Sequence, residues 1–188
     1  MEQIKDLNTY KDKIRRILIT KEQIDERIKE AAKRLDRLYD GRPLLLIGIL
    51  KGSFVFLADL CRALTVPSEI GFLGAKSYYN GTVSSGTVKI FLDVEQDISK
   101  YHVVIVEDVL DTGRTLSRVA ALLKERSPLS FTVITLLDKP ALRVVPFEAD
   151  ITLFTIPDVF VIGYGLDCAE YYRNLPYIAE YGECPMSE

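Results

Sequence analysis

The sequence predicts an α/β fold in which helices flank a mostly parallel central sheet. Short apolar runs rich in β-branched residues alternate with segments of helical periodicity, which is the order expected of parallel strands joined by helices. Two of these units, residues 44–64 and 103–123, share the order of buried strand, polar glycine-containing turn and helix. No linker or change in composition divides the chain, so residues 1–188 are expected to form a single domain.

The first half of the chain contains the clearest helix signal. Thr20 and Gln23 form a capping-box pattern, and apolar residues then recur at intervals of three and four as far as Tyr39. A strand over residues 44–50 and a helix over residues 54–64 are expected to follow.

The remaining strands are predicted from short apolar runs that are bounded by turn-forming residues. They cover residues 70–73, 88–92, 131–137 and 177–181, with a further strand pair at 151–156 and 159–164. A polar segment rich in glycine and serine, residues 76–87, separates the first two of these strands. It predicts a long mobile hairpin or lid, although composition alone favours a disordered surface loop.

Charge and composition exclude several classes of function. The net charge of −3 provides no broad basic surface, so binding of nucleic acid through bulk electrostatics is not expected. The three cysteines lack Cys-x-x-Cys spacing and, even with the single histidine, His102, they supply no recognisable zinc site. Such sparse cysteines suggest a reducing compartment. His102 opens a buried-type strand and is expected to be a structural residue rather than a catalyst.

No segment of the sequence predicts export or membrane insertion. The N-terminus lacks the continuous apolar segment of a signal peptide, and no apolar run approaches the roughly 18 residues of a membrane span. A cytoplasmic protein without membrane contact is therefore the expectation.

The second strand–helix unit contains the stretch that is most informative about function. A strand over residues 103–106 leads to Glu107-Asp108, to a third carboxylate at Asp111, and to a Thr-Gly-Arg-Thr turn at residues 112–115. In a parallel sheet this turn lies at the ligand-binding edge, and its amides, hydroxyls and helix N-terminus favour a phosphate. Because the carboxylates would repel a bare phosphate, the stretch predicts a sugar phosphate together with Mg²⁺. Lys51, at the same edge, is either a surface residue or a group that neutralises a polyphosphate.

Five ordered segments resemble a known family. The central stretch, Glu107-Asp108-Val109-Leu110-Asp111-Thr112-Gly113-Arg114-Thr115, is similar to the phosphoribosyl-diphosphate signature of type I phosphoribosyltransferases. Four more segments resemble the hypoxanthine-guanine branch of that family and occur in its order. They are Leu50-Lys51-Gly52, Lys76-Ser77-Tyr78, Leu136-Leu137-Asp138-Lys139 and residues 160–167, the last followed by Glu170-Tyr171-Tyr172-Arg173. The resemblance implies the fold of that family, with a small hood formed by the N- and C-terminal segments.

The resemblance also implies an activity, the transfer of a 5-phosphoribosyl group from phosphoribosyl diphosphate to a 6-oxopurine with release of pyrophosphate. It implies that Glu107 and Asp108 hold the ribose hydroxyls and Mg²⁺, and that Asp167 belongs to a second metal site. Asp111 would act as general base or acid for a ring nitrogen of the purine. Besides the acidic pair, the residues expected to bind phosphoribosyl diphosphate are Lys51, Gly52, Asp111, Thr112, Gly113, Arg114, Thr115 and Arg173.

The purine site is assigned by the same resemblance. Lys139 would donate a hydrogen bond to the 6-oxo group and oppose the amino group of adenine. Phe160 would stack on the purine ring, Val161 would meet its edge through backbone groups, and Asp167 would complete the site. Pattern alone favours core packing for Phe160 and Val161. Ser77-Tyr78 would lead the lid that closes during catalysis.

Two alternatives remain open from the sequence. A regulator of RNA or DNA with the same fold would bind phosphoribosyl diphosphate or nucleotides, but it would not need a proton-transfer group at Asp111. The other alternative is a sister transferase for adenine, xanthine or a pyrimidine. Lys139 and Phe160-Val161 favour a 6-oxopurine, but hypoxanthine, guanine and xanthine differ only at the 2-position, which backbone groups read. The family further implies a cis Leu50–Lys51 peptide and a homodimer or homotetramer.

Overall fold

The computed structural model describes residues 13–77 and 88–182, which form two sheets with flanking helices. In chain order the elements are β1 (Ile14–Ile19), α1 (Lys21–Tyr39), β2 (Leu44–Leu50), α2 (Phe54–Ala63), β3 (Ser68–Ser77), β4 (Val88–Leu92), β5 (His102–Leu110), α3 (Arg114–Lys124), β6 (Ser130–Asp138), β7 (Ile151–Thr155), β8 (Val161–Ile162) and β9 (Ile178–Tyr181). Short 3₁₀ turns lie at Ile98–Lys100 and Pro140–Leu142. None of the helices described is long and apolar enough to cross a membrane.

The central sheet has six strands in the order β4-β3-β2-β5-β6-β7. Every neighbouring pair is parallel except β3 and β4, which are antiparallel. The predicted mostly parallel sheet is thereby confirmed. Leu44 of β2 pairs with His102 of β5, and Gly48 pairs with Val106, so the two strands direct their carboxyl ends to one edge of the sheet.

The core lies on both faces of this sheet. Leu44 and Leu46 of β2 belong to the cluster that includes buried residues of α1 and α2. Leu45 and Ile47 of the same strand belong to the opposite cluster, which includes the buried residues of α3. The strand is buried on both sides, which explains why it is a continuous apolar run rather than an alternating one.

The first helix begins as the sequence predicts. The Thr20 side chain accepts a hydrogen bond from the Gln23 amide, and the Gln23 side chain accepts one from the Thr20 amide at 2.8 Å. This capping box satisfies two N–H groups that have no partner within the helix. The helix ends at Tyr39, and Asp40 adopts a left-handed conformation with φ 47°.

A small antiparallel sheet, in the order β1-β9-β8, joins the two terminal regions of the described chain and forms the expected hood. One prediction is wrong here, because β7 and β8 are not a strand pair. β7 extends the central sheet beside β6, whereas Val161 of β8 pairs with Glu180 of β9. Pro157 lies between the two strands and lacks a backbone N–H, so it favours a break in strand pairing.

His102 and two of the cysteines, Cys61 and Cys168, belong to the described part of the chain. The His102 ring accepts or donates a hydrogen bond with the Ser130 hydroxyl at 2.8 Å, and it packs against Tyr39, as expected of a structural residue. Cys61 is a free thiol, but Cys168 is disulfide-bonded. The reducing compartment stays a prediction.

Candidate active site

A cavity of about 290 Å³ opens at the carboxyl ends of β2 and β5, the edge at which the sequence predicts the ligand. Its walls are the turn after β2, the end of β5 and the first residues of α3. The predicted site residues that line it are Lys51, Gly52, Glu107, Asp108, Asp111, Gly113 and Thr115.

Strand β5 positions the acidic pair, and it is longer than the sequence indicates. It continues through Glu107, which pairs with Thr135 of β6, and ends only at Leu110. Glu107 is buried, and its Oε2 has no hydrogen-bond partner among the described residues. Burial raises the pKa of Glu107 well above its usual range, and the nearby charges of Asp108 and Asp111 raise it further. A buried acceptor without a donor is what a ligand hydroxyl or a cation would satisfy.

Asp108 lies directly against the turn that follows β2. Burial raises the pKa of Asp108 to about 6, against a hydrogen bond of 2.9 Å from the Val109 amide that lowers it. A Cβ atom added to Gly52 would lie 1.5 Å from the Asp108 Oδ2 atom. Glycine is therefore required at position 52 if the two strand ends are to approach this closely.

The turn at residues 111–115, which is predicted to bind a phosphate, joins β5 to α3. The Asp111 carboxylate is exposed and accepts a hydrogen bond from the Thr112 amide at 2.5 Å. Gly113 is the N-cap of α3 and has φ +78°, a conformation that favours glycine. The Arg114 amide donates to the Thr112 hydroxyl at 3.4 Å. The turn thus brings a helix N-terminus to the cavity, as the sequence predicts.

A segment after β6, which sequence reasoning missed, supports this turn. The Arg143 guanidinium donates to the Asp111 carbonyl and to the Asp138 carboxylate. The amides of Val144 and Val145 both donate to the Thr112 carbonyl, at 3.0 and 3.1 Å. These contacts fix the backbone on which Asp111 lies. The segment is irregular, so no periodicity could have indicated it.

The predicted purine-binding residues lie directly after β6, at the start of β8 and in the segment that follows β8. The Lys139 ammonium donates to the carbonyl of Val159 at 2.7 Å, and burial lowers the pKa of Lys139. Phe160 is 45% exposed and Val161 is 7% exposed. The prediction of core packing is therefore wrong for Phe160 and confirmed for Val161. The Tyr181 amide donates a hydrogen bond to the Phe160 carbonyl at 2.9 Å, which fixes the backbone beside the exposed ring.

A cluster of charged residues joins the turn after β2 to the segment between β8 and β9. The Glu170 carboxylate contacts the Lys51 ammonium at 2.9 Å and the Arg173 guanidinium at 3.0 Å. Arg173 also contacts Asp167 at 2.9 Å and donates to the Gly165 carbonyl at 2.8 Å. Hydrogen bonds from Lys51 and then Arg173 lower the pKa of Glu170. Glu170 was part of a recognised motif, but its contact with both cations was not predicted.

The donor set at the cavity fits Mg²⁺ that is held largely by substrate oxygens. Within residues 13–77 and 88–182, no group of three or more His, Cys, Asp or Glu side chains could hold a metal ion by itself. Mg²⁺ usually binds one or two carboxylates together with substrate phosphates and water. Glu107, with its unpartnered buried oxygen, and Asp108 meet that requirement.

Two further predictions concern the Leu50–Lys51 peptide and the lid. The Leu50–Lys51 peptide is cis, as predicted. Ser77 is the last residue of β3. Tyr78 and the remainder of the predicted lid lie outside the described residues, so the lid stays a prediction.

Known proteins match the chain over most of its length. A family model described as the phosphoribosyl transferase domain matches residues 16–169. The hypoxanthine-guanine phosphoribosyltransferase of Streptococcus pneumoniae R6 is 48% identical over 165 residues, which cover 88% of this chain and 92% of that protein. The hypoxanthine phosphoribosyltransferase of Escherichia coli K12 is 43% identical over 166 residues, covering 87% of this chain and 93% of that protein.

Solved structures give the same result. A crystal structure of a hypoxanthine phosphoribosyltransferase from Staphylococcus aureus matches with a TM-score of 0.88 at 40% identity, and it covers 95% of this chain and 96% of that one. The chain belongs to the phosphoribosyl transferase family, in its hypoxanthine-guanine branch.

Proposed function

We propose that this chain is a purine salvage enzyme that transfers the 5-phosphoribosyl group of phosphoribosyl diphosphate to hypoxanthine or guanine. The products are IMP or GMP and pyrophosphate. The observation that supports this most strongly is one cavity in which the acidic pair, with Glu107 buried, lies beside the glycine-containing turn at the N-terminus of α3. The relatives that match most of the chain are named for the same transfer.

The 5-phosphate of the substrate would bind the turn at residues 111–115. The N-terminus of α3, which begins after Gly113, supplies partial positive charge and backbone donors to an anion. The hydroxyls of Thr112 and Thr115 would add donors, and Arg114 would add charge. Contacts from Arg143 to the turn hold it in one conformation before the substrate arrives.

The ribose hydroxyls would bind Glu107 and Asp108. The unpartnered Oε2 atom of Glu107 is an acceptor for a hydroxyl donor, which would offset the cost of its burial. Mg²⁺ held there, and at a second site with Asp167, would neutralise the diphosphate charge and improve the leaving group. Binding of a cation would also favour the ionised forms of Glu107 and Asp108, whose pKa values are raised by burial.

The transfer itself breaks the bond between C1′ of the ribose and the diphosphate oxygen, and forms a bond from C1′ to a purine ring nitrogen. Negative charge develops on the departing pyrophosphate. Lys51 and Arg173 lie close enough to contact the same carboxylate, so they could both contact the same diphosphate. Their charges would stabilise the leaving group as the bond breaks.

Asp111 would accept the proton that the attacking ring nitrogen loses. Its carboxylate is exposed at the cavity and is oriented by the Thr112 amide. A positioned general base typically contributes about 10²–10⁴-fold to the rate. In the reverse direction the same group would return the proton as a general acid.

The choice of base would depend on the residue that follows β6 and on the residues at the start of β8. The Lys139 ammonium, held at the Val159 carbonyl, would donate to the 6-oxo group of hypoxanthine or guanine. It would face the 6-amino group of adenine unfavourably, since both groups are donors. The exposed ring of Phe160 would stack on the purine, and Val161 and Asp167 would border it.

We also propose the lid, the assembly and the location that the family implies. Ser77-Tyr78 would lead a lid that excludes water from the reacting ribose. A homodimer or homotetramer is expected, which sedimentation tests, and a cytoplasmic location is expected, which cell fractionation tests.

The proposed activity is tested by incubating the protein with Mg²⁺, phosphoribosyl diphosphate and each base separately. Hypoxanthine and guanine should yield IMP and GMP with one pyrophosphate per nucleotide, and adenine should yield none. Reactions without Mg²⁺ provide the control for the metal. Binding of phosphoribosyl diphosphate without turnover of either 6-oxopurine would contradict the proposal and favour a regulatory protein of the same fold.

A further inference from the structure

Glu170 lies between two cations that are expected to bind the substrate. Its Oε1 atom is 2.9 Å from the Lys51 ammonium, and its Oε2 atom is 3.0 Å from the Arg173 guanidinium. Lys51 and Glu170 are 119 residues apart in sequence, so the contact joins the turn after β2 to the segment between β8 and β9. One carboxylate thus bridges the two groups through its two oxygens, as an anionic group of the substrate could.

The backbone around Glu170 is held in an unusual conformation that directs the side chain to this position. Ala169, Glu170 and Tyr172 have φ values of 51°, 71° and 74°, in the left-handed region that non-glycine residues rarely adopt. The Glu170 amide donates to the Asp167 carboxylate at 2.8 Å, and Arg173 is anchored to the Gly165 carbonyl. Such conformations persist where surrounding contacts impose them, and they are common at functional sites.

We propose that Glu170 is an internal substitute for the diphosphate, which pairs with Lys51 and Arg173 in the ligand-free protein and is displaced when diphosphate binds. This inference depends on the proposed function, and specifically on Lys51 and Arg173 as the groups that bind the diphosphate.

The energetics favour such an exchange. The side chains of Lys51 and Glu170 are each 64% exposed, and exposed ion pairs of this kind are weak. A diphosphate bears more negative charge and more acceptor oxygens than one carboxylate, so it competes effectively for the same two cations. Glu170 would keep the cations paired and positioned without preventing substrate binding.

The exchange would weaken binding of the diphosphate group in both substrate and product. Because Glu170 can return to Lys51 and Arg173, it would compete with bound pyrophosphate for these cations and shorten the residence time of pyrophosphate in the site. Product release limits turnover in many enzymes. The carboxylate would therefore favour turnover at the cost of affinity.

The test compares Glu170→Gln with wild type in calorimetric titrations of inorganic pyrophosphate in the presence of Mg²⁺. The substitution removes the charge while keeping the size of the side chain, and Glu170 is exposed, so folding should be unaffected. Glu30→Gln provides the matched control, because Glu30 also forms an exposed ion pair, with Arg27, but on α1. We expect pyrophosphate to bind Glu170→Gln about three- to tenfold more tightly than wild type, and to bind the control as wild type does. KM for phosphoribosyl diphosphate should fall in parallel, without a rise in kcat.

Glu170→Asp separates displacement from a general charge effect, since it keeps the charge but shortens the side chain. Tighter binding by this variant as well supports displacement, whereas affinity equal to wild type overturns it in favour of net charge alone. Equal or weaker pyrophosphate binding by Glu170→Gln would overturn the inference while leaving the proposed function intact. If wild type neither binds pyrophosphate nor converts a 6-oxopurine, both the inference about Glu170 and the proposed function are wrong.

Discussion

Replacing Asp108 by asparagine should make the protein more stable at neutral pH while impairing its function. Burial raises the pKa of Asp108 from an ordinary value of 3.8 to about 6. The folded state therefore holds the proton more tightly than the unfolded state, and stability is lost as the pH rises from about 4 to about 6. With roughly 1.4 kcal/mol for each pKa unit, the ionised carboxylate destabilises the fold by about 3 kcal/mol above pH 6.

The amide of Asp108→Asn removes this cost and keeps an acceptor oxygen for the Val109 amide. Allowing for the cost of burying the new amide, we expect a gain of roughly 2 kcal/mol at pH 8, or about 4–8 °C in Tm. The gain should disappear towards pH 4, and thermal unfolding followed by circular dichroism measures it. Asp97→Asn is the control, because that exposed carboxylate has a lowered pKa, owing first to the Ser99 hydroxyl, and its removal should give no gain.

Wild type and Asp108→Asn should also differ in how much ligand stabilises them. Mg²⁺ with phosphoribosyl diphosphate at about 100 times its Kd should stabilise wild type by about 2.7 kcal/mol, whereas Asp108→Asn should gain much less. Unchanged or lower stability of Asp108→Asn at pH 8 would refute the argument from burial. A difference that grows as the pH falls would refute it equally.

Substitutions at three more positions test other parts of the site. Arg143→Met should lower kcat about 10- to 100-fold, because the Asp111 carbonyl loses the hydrogen bond from Arg143, and Arg143→Lys should recover part of the loss. Steady-state kinetics with both substrates measure this. A wild-type kcat in Arg143→Met would show that Arg143 does not position Asp111. Lys139→Gln should weaken binding of the transition state for hypoxanthine by about 2 kcal/mol, and the preference for hypoxanthine over adenine should become smaller. Measurements of kcat/KM for the two bases test this. Gly52→Ala should abolish binding of phosphoribosyl diphosphate in calorimetry while the fold persists, because the added Cβ overlaps the Asp108 carboxylate; retained affinity would show that the strand ends can separate.

Local signals were sufficient to predict most elements and the conformation of the turn at residues 111–115. The capping box at Thr20 and the periodicity up to Tyr39 depend on neighbours within a few residues, and both are present in the structure. Residues 111–115 likewise combine a strand end, a glycine with positive φ and a helix N-terminus within one short stretch. Such features can be predicted because the interactions that define them are local.

Contacts between distant parts of the chain could not be predicted in this way. Arg143 supports Asp111 from 32 residues away, and Glu170 reaches Lys51 from 119 residues away. Neither position has a periodic or compositional signal. The strand predicted at residues 159–164 failed for the same reason, since its pairing with β9 depends on the second sheet rather than on its own apolar pattern.

The most direct test of the proposed division of roles within the site compares Asp111→Asn with wild type. If the acidic pair holds the ribose and Asp111 transfers the proton, Asp111→Asn should bind phosphoribosyl diphosphate and Mg²⁺ with nearly unchanged affinity. Its kcat for hypoxanthine should fall by about 10²–10⁴-fold. A wild-type kcat in Asp111→Asn, or a loss of phosphoribosyl diphosphate binding that accounts for the whole defect, would contradict this assignment.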